Sequence, residues 1–131
     1  LKKKKLMLDG GGISKRNFIH IDDVSEATYK IIKSKKNKEI YHISSDTIIS
    51  IKDLVKLICK KMNYNFSDLV TLSPERRGKD KYYVLSNKKL RKQFGWRAKI
   101  SLDKGIDRCI DWIKKDLVLF SKGDENYIHK K

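Results

Sequence analysis

Two short stretches set arginine beside glycine, GGGISKR at residues 10–16 and RRGKDK at residues 76–81. A guanidinium can hold two phosphate oxygens at once, and glycine lets the backbone approach a bound anion. Arg16 and Arg76 together suit a pyrophosphate, with Lys79 as a third cation. Loop residues simply exposed to water would have the same composition, so the pattern alone leaves both roles open. His42 stands near the carboxyl end of an expected strand, where open α/β sheets take their ligands. His20 reads as a structural histidine, and no spacing puts two of the three histidines on one helix face for a metal. Asp22 and Asp23 have acid–base chemistry, but helix capping explains them with fewer assumptions.

The elements that must position these groups follow from hydrophobic spacing. After the glycine turn, Phe18, Ile19 and Ile21 predict a short strand, and Asp22 and Asp23 sit where carboxylates oppose a helix's positive end. Val24, Ala27, Thr28, Ile31 and Ile32 then recur on one helical face. Ile40, Tyr41 and Ile43 suit a mostly buried strand over residues 39–44, so strand, helix and strand suggest a βαβ unit. Ser50 and Asp53 resemble a capping box, followed by the apolar stripe Ile51, Leu54, Val55, Ile58, Cys59 and Met62. A short strand is expected around Val70, another over residues 82–85, and a helix from Ser86 to Phe94 that Gly95 ends, with Trp96 packed behind it. A last helix starts at Ser101 with Leu102, Ile106, Cys109, Ile110 and Ile113 on its apolar face, and fades after Leu119. The expected organisation is one α/β unit over residues 1–120 with about four helices and short strands, then a polar, disordered tail at 121–131.

Charge bounds the partners. The chain has 131 residues and a formal charge of +16, which invites a nucleic-acid reading. Its 32 basic residues, however, include only six arginines and lie on almost every segment, as a solvated surface would have them. Cys59 and Cys109 lie on apolar helix faces and read as small core residues, which suits a reducing cytoplasm. No apolar run approaches a membrane span, and the opening LKKKKLML is too short in apolar residues for a signal peptide. Leu6, Met7 and Leu8 read as the end of an element whose beginning is missing.

Taken together, the landmarks resemble the C-terminal part of the extended short-chain dehydrogenase/reductase family, the NAD-dependent nucleotide-sugar epimerases and dehydratases. Residues 12–23 resemble that family's glycine loop and Arg-x-Phe-Ile-His-Val-x-Asp, and residues 39–45 its Tyr-Asn-Ile-Gly-Gly strand. Residues 76–80 resemble its Arg-Pro-Gly-His-Asp, and Lys89 through Gly95 and Trp96, then Leu102 to Trp112, resemble its Leu-Gly-Trp and final helix. The order and spacing agree to about Asp116, and the similarity is closest to nucleoside-diphosphate-glucose 4,6-dehydratases.

The resemblance implies a Rossmann-type enzyme that uses bound NAD to oxidise a nucleotide sugar at C4, eliminate water across C5 and C6 and return the hydride. It implies that Arg16 and Arg76 contact the nucleotide and pyrophosphate. His42 stands where the family commonly has a substrate-contacting asparagine, and Lys79 where the dehydratases commonly have histidine. The family's cofactor motif and catalytic tyrosine and lysine lie upstream of the matched part. Tyr29 and Lys33 have the family's Tyr-x-x-x-Lys spacing, as do Tyr127 and Lys131, but about one such match is expected by chance at this lysine content. The implied function is therefore the nucleotide-sugar-binding part of a dehydratase or epimerase, inactive alone, binding no cofactor itself and paired with an N-terminal Rossmann chain or with itself through an exposed apolar face. The alternative is a small basic nucleic-acid-binding module, which rests on charge alone and lacks a recognisable reader motif.

Overall fold

The computed structural model describes residues 5–35, 38–75 and 78–117. Its elements are β1 (Leu6–Asp9), a turn at Gly10–Gly12, β2 (Lys15–Asn17), α1 (Ile21–Lys33), β3 (Ile48–Ser50), α2 (Ile51–Lys61), α3 (Phe66–Leu69), β4 (Val70–Ser73), β5 (Tyr82–Tyr83), α4 (Lys88–Phe94) and α5 (Leu102–Lys115). The fold is mixed α/β, with two small sheets among the described residues: β1 pairs in parallel with β4, and β2 lies between antiparallel β3 and parallel β5.

The helices begin where side chains meet their free amides. His20 caps α1, its Nδ1 accepting from the Asp22 N–H at 3.2 Å, and Asp22 and Asp23 occupy the first turn against the positive end of the helix. Ser50 caps α2 by accepting from the Asp53 N–H at 3.0 Å, and Ser101 caps α5 by accepting from the Lys104 N–H at 3.3 Å. Gly95 ends α4 in the left-handed region at φ 60°, which admits glycine without a Cβ penalty. Trp96 follows it into the core.

That core is small. Ala27, Leu90 and Trp96 are fully buried, with Ile19, Ile31, Tyr41, Ile43 and Phe94 packed around them. The Tyr41 and Phe94 rings meet edge to face at 5.3 Å between centroids, and the Tyr41 hydroxyl donates to Gln93.

Two polar ties fix the helices. The Asp23 carboxylate, 2% exposed, accepts from the Lys99 and Ile100 N–H groups, each at 3.0 Å. It binds the start of α1 to the segment leading into α5. Lys61 at the end of α2 reaches Asp103 and Asp107 of α5, both at 2.8 Å.

Several sequence expectations change. Residues 18–20 are not a strand: β2 ends at Asn17, and Ile21 opens α1 exposed to solvent. Residues 39–44 are not a strand and pair with none among the described residues, and Ile40 is 82% exposed, so the expected βαβ unit is not formed there. Without a neighbouring ladder, this segment is held by side chains instead. Lys89 Nζ donates to the Ile40 carbonyl at 2.9 Å, and Ser44 Oγ to the Leu85 carbonyl at 2.8 Å. The strand expected over residues 82–85 shortens to two residues, and the helix after it starts at Lys88 rather than Ser86. Cys59 is buried as expected, but Cys109 is exposed.

Removing the Asp23 carboxylate leaves two partly buried amides without their acceptor, each worth about 1–3 kcal/mol. Asp23→Ala should lower unfolding stability by about 3 kcal/mol in urea titration, and Asp23→Asn by less, because its amide oxygen still accepts. Lys61 titrates above the ordinary lysine value, raised first by Asp103 and then by Asp107 against a smaller desolvation effect. Its folded pKa lies above the unfolded one, so its contribution is complete below the unfolded value and disappears as pH climbs through the folded one. As pH rises above the ordinary lysine value, the urea midpoint of the wild type should therefore fall more steeply than that of Lys61→Met.

Candidate functional site

The site is built on the left-handed turn that joins β1 to β2. Gly10, Gly11 and Gly12 have φ of 59°, 62° and 68°, a run that L side chains adopt only at a cost. Space excludes side chains at two of them. A Cβ at Gly12 would lie 2.7 Å from the Leu8 side chain and 2.9 Å from the Lys52 backbone nitrogen, and one at Gly10 would run into the Glu75 carboxylate.

The second basic loop is stitched against this turn. The Gly10 N–H donates to the Pro74 carbonyl at 3.3 Å, Ser73 Oγ to Asp9 Oδ1 at 2.7 Å, and Lys79 Nζ to the Asp9 carbonyl at 3.3 Å. The Lys15 N–H reaches the Lys81 carbonyl at 2.8 Å, continuing into the register Lys15↔Tyr82 and Arg16↔Tyr83. The glycine turn thus lies beside residues 73–74 and 79–81 of the second basic loop, although more than 60 residues separate them in sequence.

Arg16 is half-buried at the centre of this arrangement. Its Nη1 donates to the Lys15 carbonyl at 2.7 Å and its Nη2 to the Asp80 carbonyl at 2.9 Å, with the guanidinium 5.8 Å from the Tyr83 ring centroid. These two bonds use two of the five N–H donors a guanidinium carries. Lys79 is held differently, since its ammonium also meets the Glu75 carboxylate at 3.3 Å. His42 is exposed on the irregular segment 39–44. That segment continues alongside β2, because Asn17 Nδ2 donates to the Ser45 carbonyl at 2.9 Å. Arg76 lies outside the described residues.

Sequence reasoning missed the residue that joins these pieces. Asn17 bonds residue 45 through its Nδ2, and its Oδ1 accepts from the Leu85 N–H at 3.1 Å. Asn87, buried, repeats the device by donating to the Ser44 carbonyl and to Asp46 Oδ1, both at 2.9 Å. The available signal was an asparagine within a strand, a residue that strands disfavour and that bonds backbone instead.

No dinucleotide cradle is present among the described residues. The glycine turn leads into a strand rather than a helix N-terminus, and the space over Gly10 and Gly12 is taken by Glu75 and Leu8, so these residues do not fit NAD. No group of three His, Cys, Asp or Glu side chains among the described residues could hold a metal. Tyr29 is exposed, with Lys33 Nζ 5.0 Å from its ring centroid.

Residues 1–109 match the family profile of GDP-mannose 4,6 dehydratase. The human dTDP-D-glucose 4,6-dehydratase is 31% identical over 122 residues, covering 86% of this chain and 33% of the relative. A dTDP-glucose 4,6-dehydratase from Escherichia coli is 25% identical over 119 residues, with 86% and 33% covered. Among solved structures, DesIV, a dTDP-glucose 4,6-dehydratase from Streptomyces venezuelae with NAD and TYD bound, superposes with a TM-score of 0.82 at 24% identity, covering 88% of this chain and 36% of DesIV. A UDP-glucose 4-epimerase from Thermotoga maritima with UDP-glucose superposes with a TM-score of 0.80 at 23% identity, covering 88% and 36%. The chain spans about a third of the length of these proteins, and the two superpositions bear on the fold alone.

Gly11 has open space where a Cβ would go, whereas Gly12 does not. Gly11→Ala should cost about 1–2 kcal/mol from its backbone conformation alone. Gly12→Ala, which adds a collision with the Lys52 backbone, should cost clearly more, read as the difference between the two urea midpoints.

Proposed function

The chain belongs to the GDP-mannose 4,6 dehydratase family of nucleotide-sugar enzymes, and we propose that it is the nucleotide-sugar-binding portion of an NAD-dependent 4,6-dehydratase or 4-epimerase. The single observation that carries this reading is the anchoring of Arg16. Two backbone carbonyls orient its guanidinium without neutralising it, and the loop that supplies one of them also carries Lys79, whose ammonium reaches the Asp9 carbonyl. A pyrophosphate is the ligand for which such a fork is suited. In this reading Arg16 and Arg76 hold the two phosphates, Lys79 adds a cation at the edge, and His42 faces the sugar or the base. Relatives of this fold are recorded with NAD, TYD and UDP-glucose. NAD, which supplies hydride transfer at the sugar, and the acid–base residues would come from the two-thirds of the enzyme that this chain does not cover.

The residues of this chain would then bind and orient rather than react. Phosphate contacts fix the nucleotide end, and the binding energy there is used to hold the sugar against groups supplied by the other part. The chain alone is expected to bind a nucleotide sugar and to leave it unchanged. Titration with thymidine- and uridine-diphosphate glucose at low and moderate salt should give saturable binding that weakens at least tenfold, about 1.4 kcal/mol, in the Arg16→Ala, Arg76→Ala double variant. Tight oligonucleotide binding that falls steeply with salt and ignores both arginines would replace this reading with a nucleic-acid-binding one.

A further inference from the structure

The apolar stripes of α2 and α5 face each other without closing. Leu54 and Ile58 of α2, Met62 at its C-cap, and Ile106, Cys109 and Ile110 of α5 line an open groove of about 330 Å³, with Phe18 and Ile19 also in its wall. Ile106 alone of these six residues is buried, four are half-buried, and Cys109 is exposed. The helical spacing of these residues is that of a core face, yet the chain leaves them on an open surface. The groove is already spanned at one end by Lys61, which bridges to Asp103 and Asp107. Its polar lining, His20 and Ser101, is spent on capping α1 and α5.

Resting on the reading that this chain is one portion of a longer enzyme, we propose that the groove is the seat of an amphipathic helix from the remaining two-thirds of that enzyme. The wall decides the kind of occupant. Helices α2 and α5 keep their backbone groups internally bonded, so a strand laid between them would bury its own N–H and C=O groups without partners, whereas a helix satisfies its own. Such an occupant places residues at i, i+3, i+4 and i+7 into the groove. Matched to α5, a helix of 14 residues, it is about 21 Å long. A second copy of this chain is disfavoured because each carries a formal charge of +16, and the same charge favours an occupant with an acidic outer flank. The length for such a helix is there in the relatives, since the match covers only 33% of the human one.

Cys109 reports on the groove, and buried Cys59 serves as an internal reference. Thiol modification of the 131-residue chain is followed with and without overlapping 18-residue peptides that tile the part of the human relative outside its match. One peptide, or adjacent ones, should slow Cys109 modification at least tenfold and gain helicity on binding. Ile58→Asp and Met62→Lys, tested only where the variant keeps the wild-type melting temperature, should each abolish the slowing. The proposal is overturned if no peptide slows Cys109. It is equally overturned if Cys109 in the chain alone is protected in a concentration-dependent way, which makes the occupant a second copy, or if deleting residues 118–131 speeds its modification, which makes the occupant this chain's own tail. The nucleotide-sugar titration reads Arg16 and Arg76, so loss of sugar binding with the groove result intact would defeat the functional reading alone, and the reverse outcome the groove alone.

Discussion

A buried carboxylate that serves two backbone amides holds this structure in register. Asp23 lies in the first turn of α1, where the helix's positive end favours its charge, and from there it accepts from the N–H groups of residues 99 and 100. Apolar contacts between α1 and the Trp96 region would tolerate sliding, whereas two hydrogen bonds to adjacent amides do not. The bond pair fixes where the chain leaves Trp96, and therefore where Ser101 caps α5 and along which line α5 runs. The small core of Ala27, Leu90 and Trp96 and the groove wall on α5 both depend on that line.

The basic residues at the glycine turn divide by what holds them. Arg16 is oriented by carbonyl dipoles and an aromatic ring, which fix its direction and leave its full charge in place. Lys79 shares its ammonium with the Glu75 carboxylate and so acts first as the clip that closes its loop over the turn. Of the two, Arg16 keeps its charge positioned and uncompensated, and Lys79 does not. Asn17 and Asn87 complete the arrangement from outside, pinning the segment around residues 44–46 by its carbonyls where no strand pairs with it.

Four of the five helices were legible in the sequence because their signals are local; the one-turn α3 at Phe66–Leu69 was not expected. Ser50, Ser101, Gly95 and the apolar periods each act within a few residues, and each sits where the spacing put it, give or take one or two positions. The strands were legible only in part: those at Val70 and Tyr82 lie where expected, whereas β2 and β3 are three residues long each and exist only through pairing with distant segments. Residues 39–44 show the limit of an alternating pattern: it announces a strand, but a strand also needs a neighbour, and none lies beside it here among the described residues. The apolar faces of α2 and α5 were read as core. Their spacing was read correctly, while their cover is not supplied within the described chain. Of the site, the two glycine–arginine loops were legible by composition. Their meeting was not, since it rests on backbone bonds such as Lys15 to Lys81.

The pairing of β1 with β4 also sets a schedule for folding. Its partners, Leu6↔Val70 through Asp9↔Ser73, lie 64 residues apart, so this parallel sheet closes a long loop before any ladder bond is gained. Helices α1 and α2 can form within microseconds of leaving the ribosome, while β1 waits for residues 70–73 to be made. At ordinary rates of synthesis that interval is about 3–13 s, during which Leu6, Met7 and Leu8 lack their β4 partner. The four lysines at residues 2–5 stand immediately before that edge, where like charge on neighbouring nascent chains keeps such segments from finding one another first.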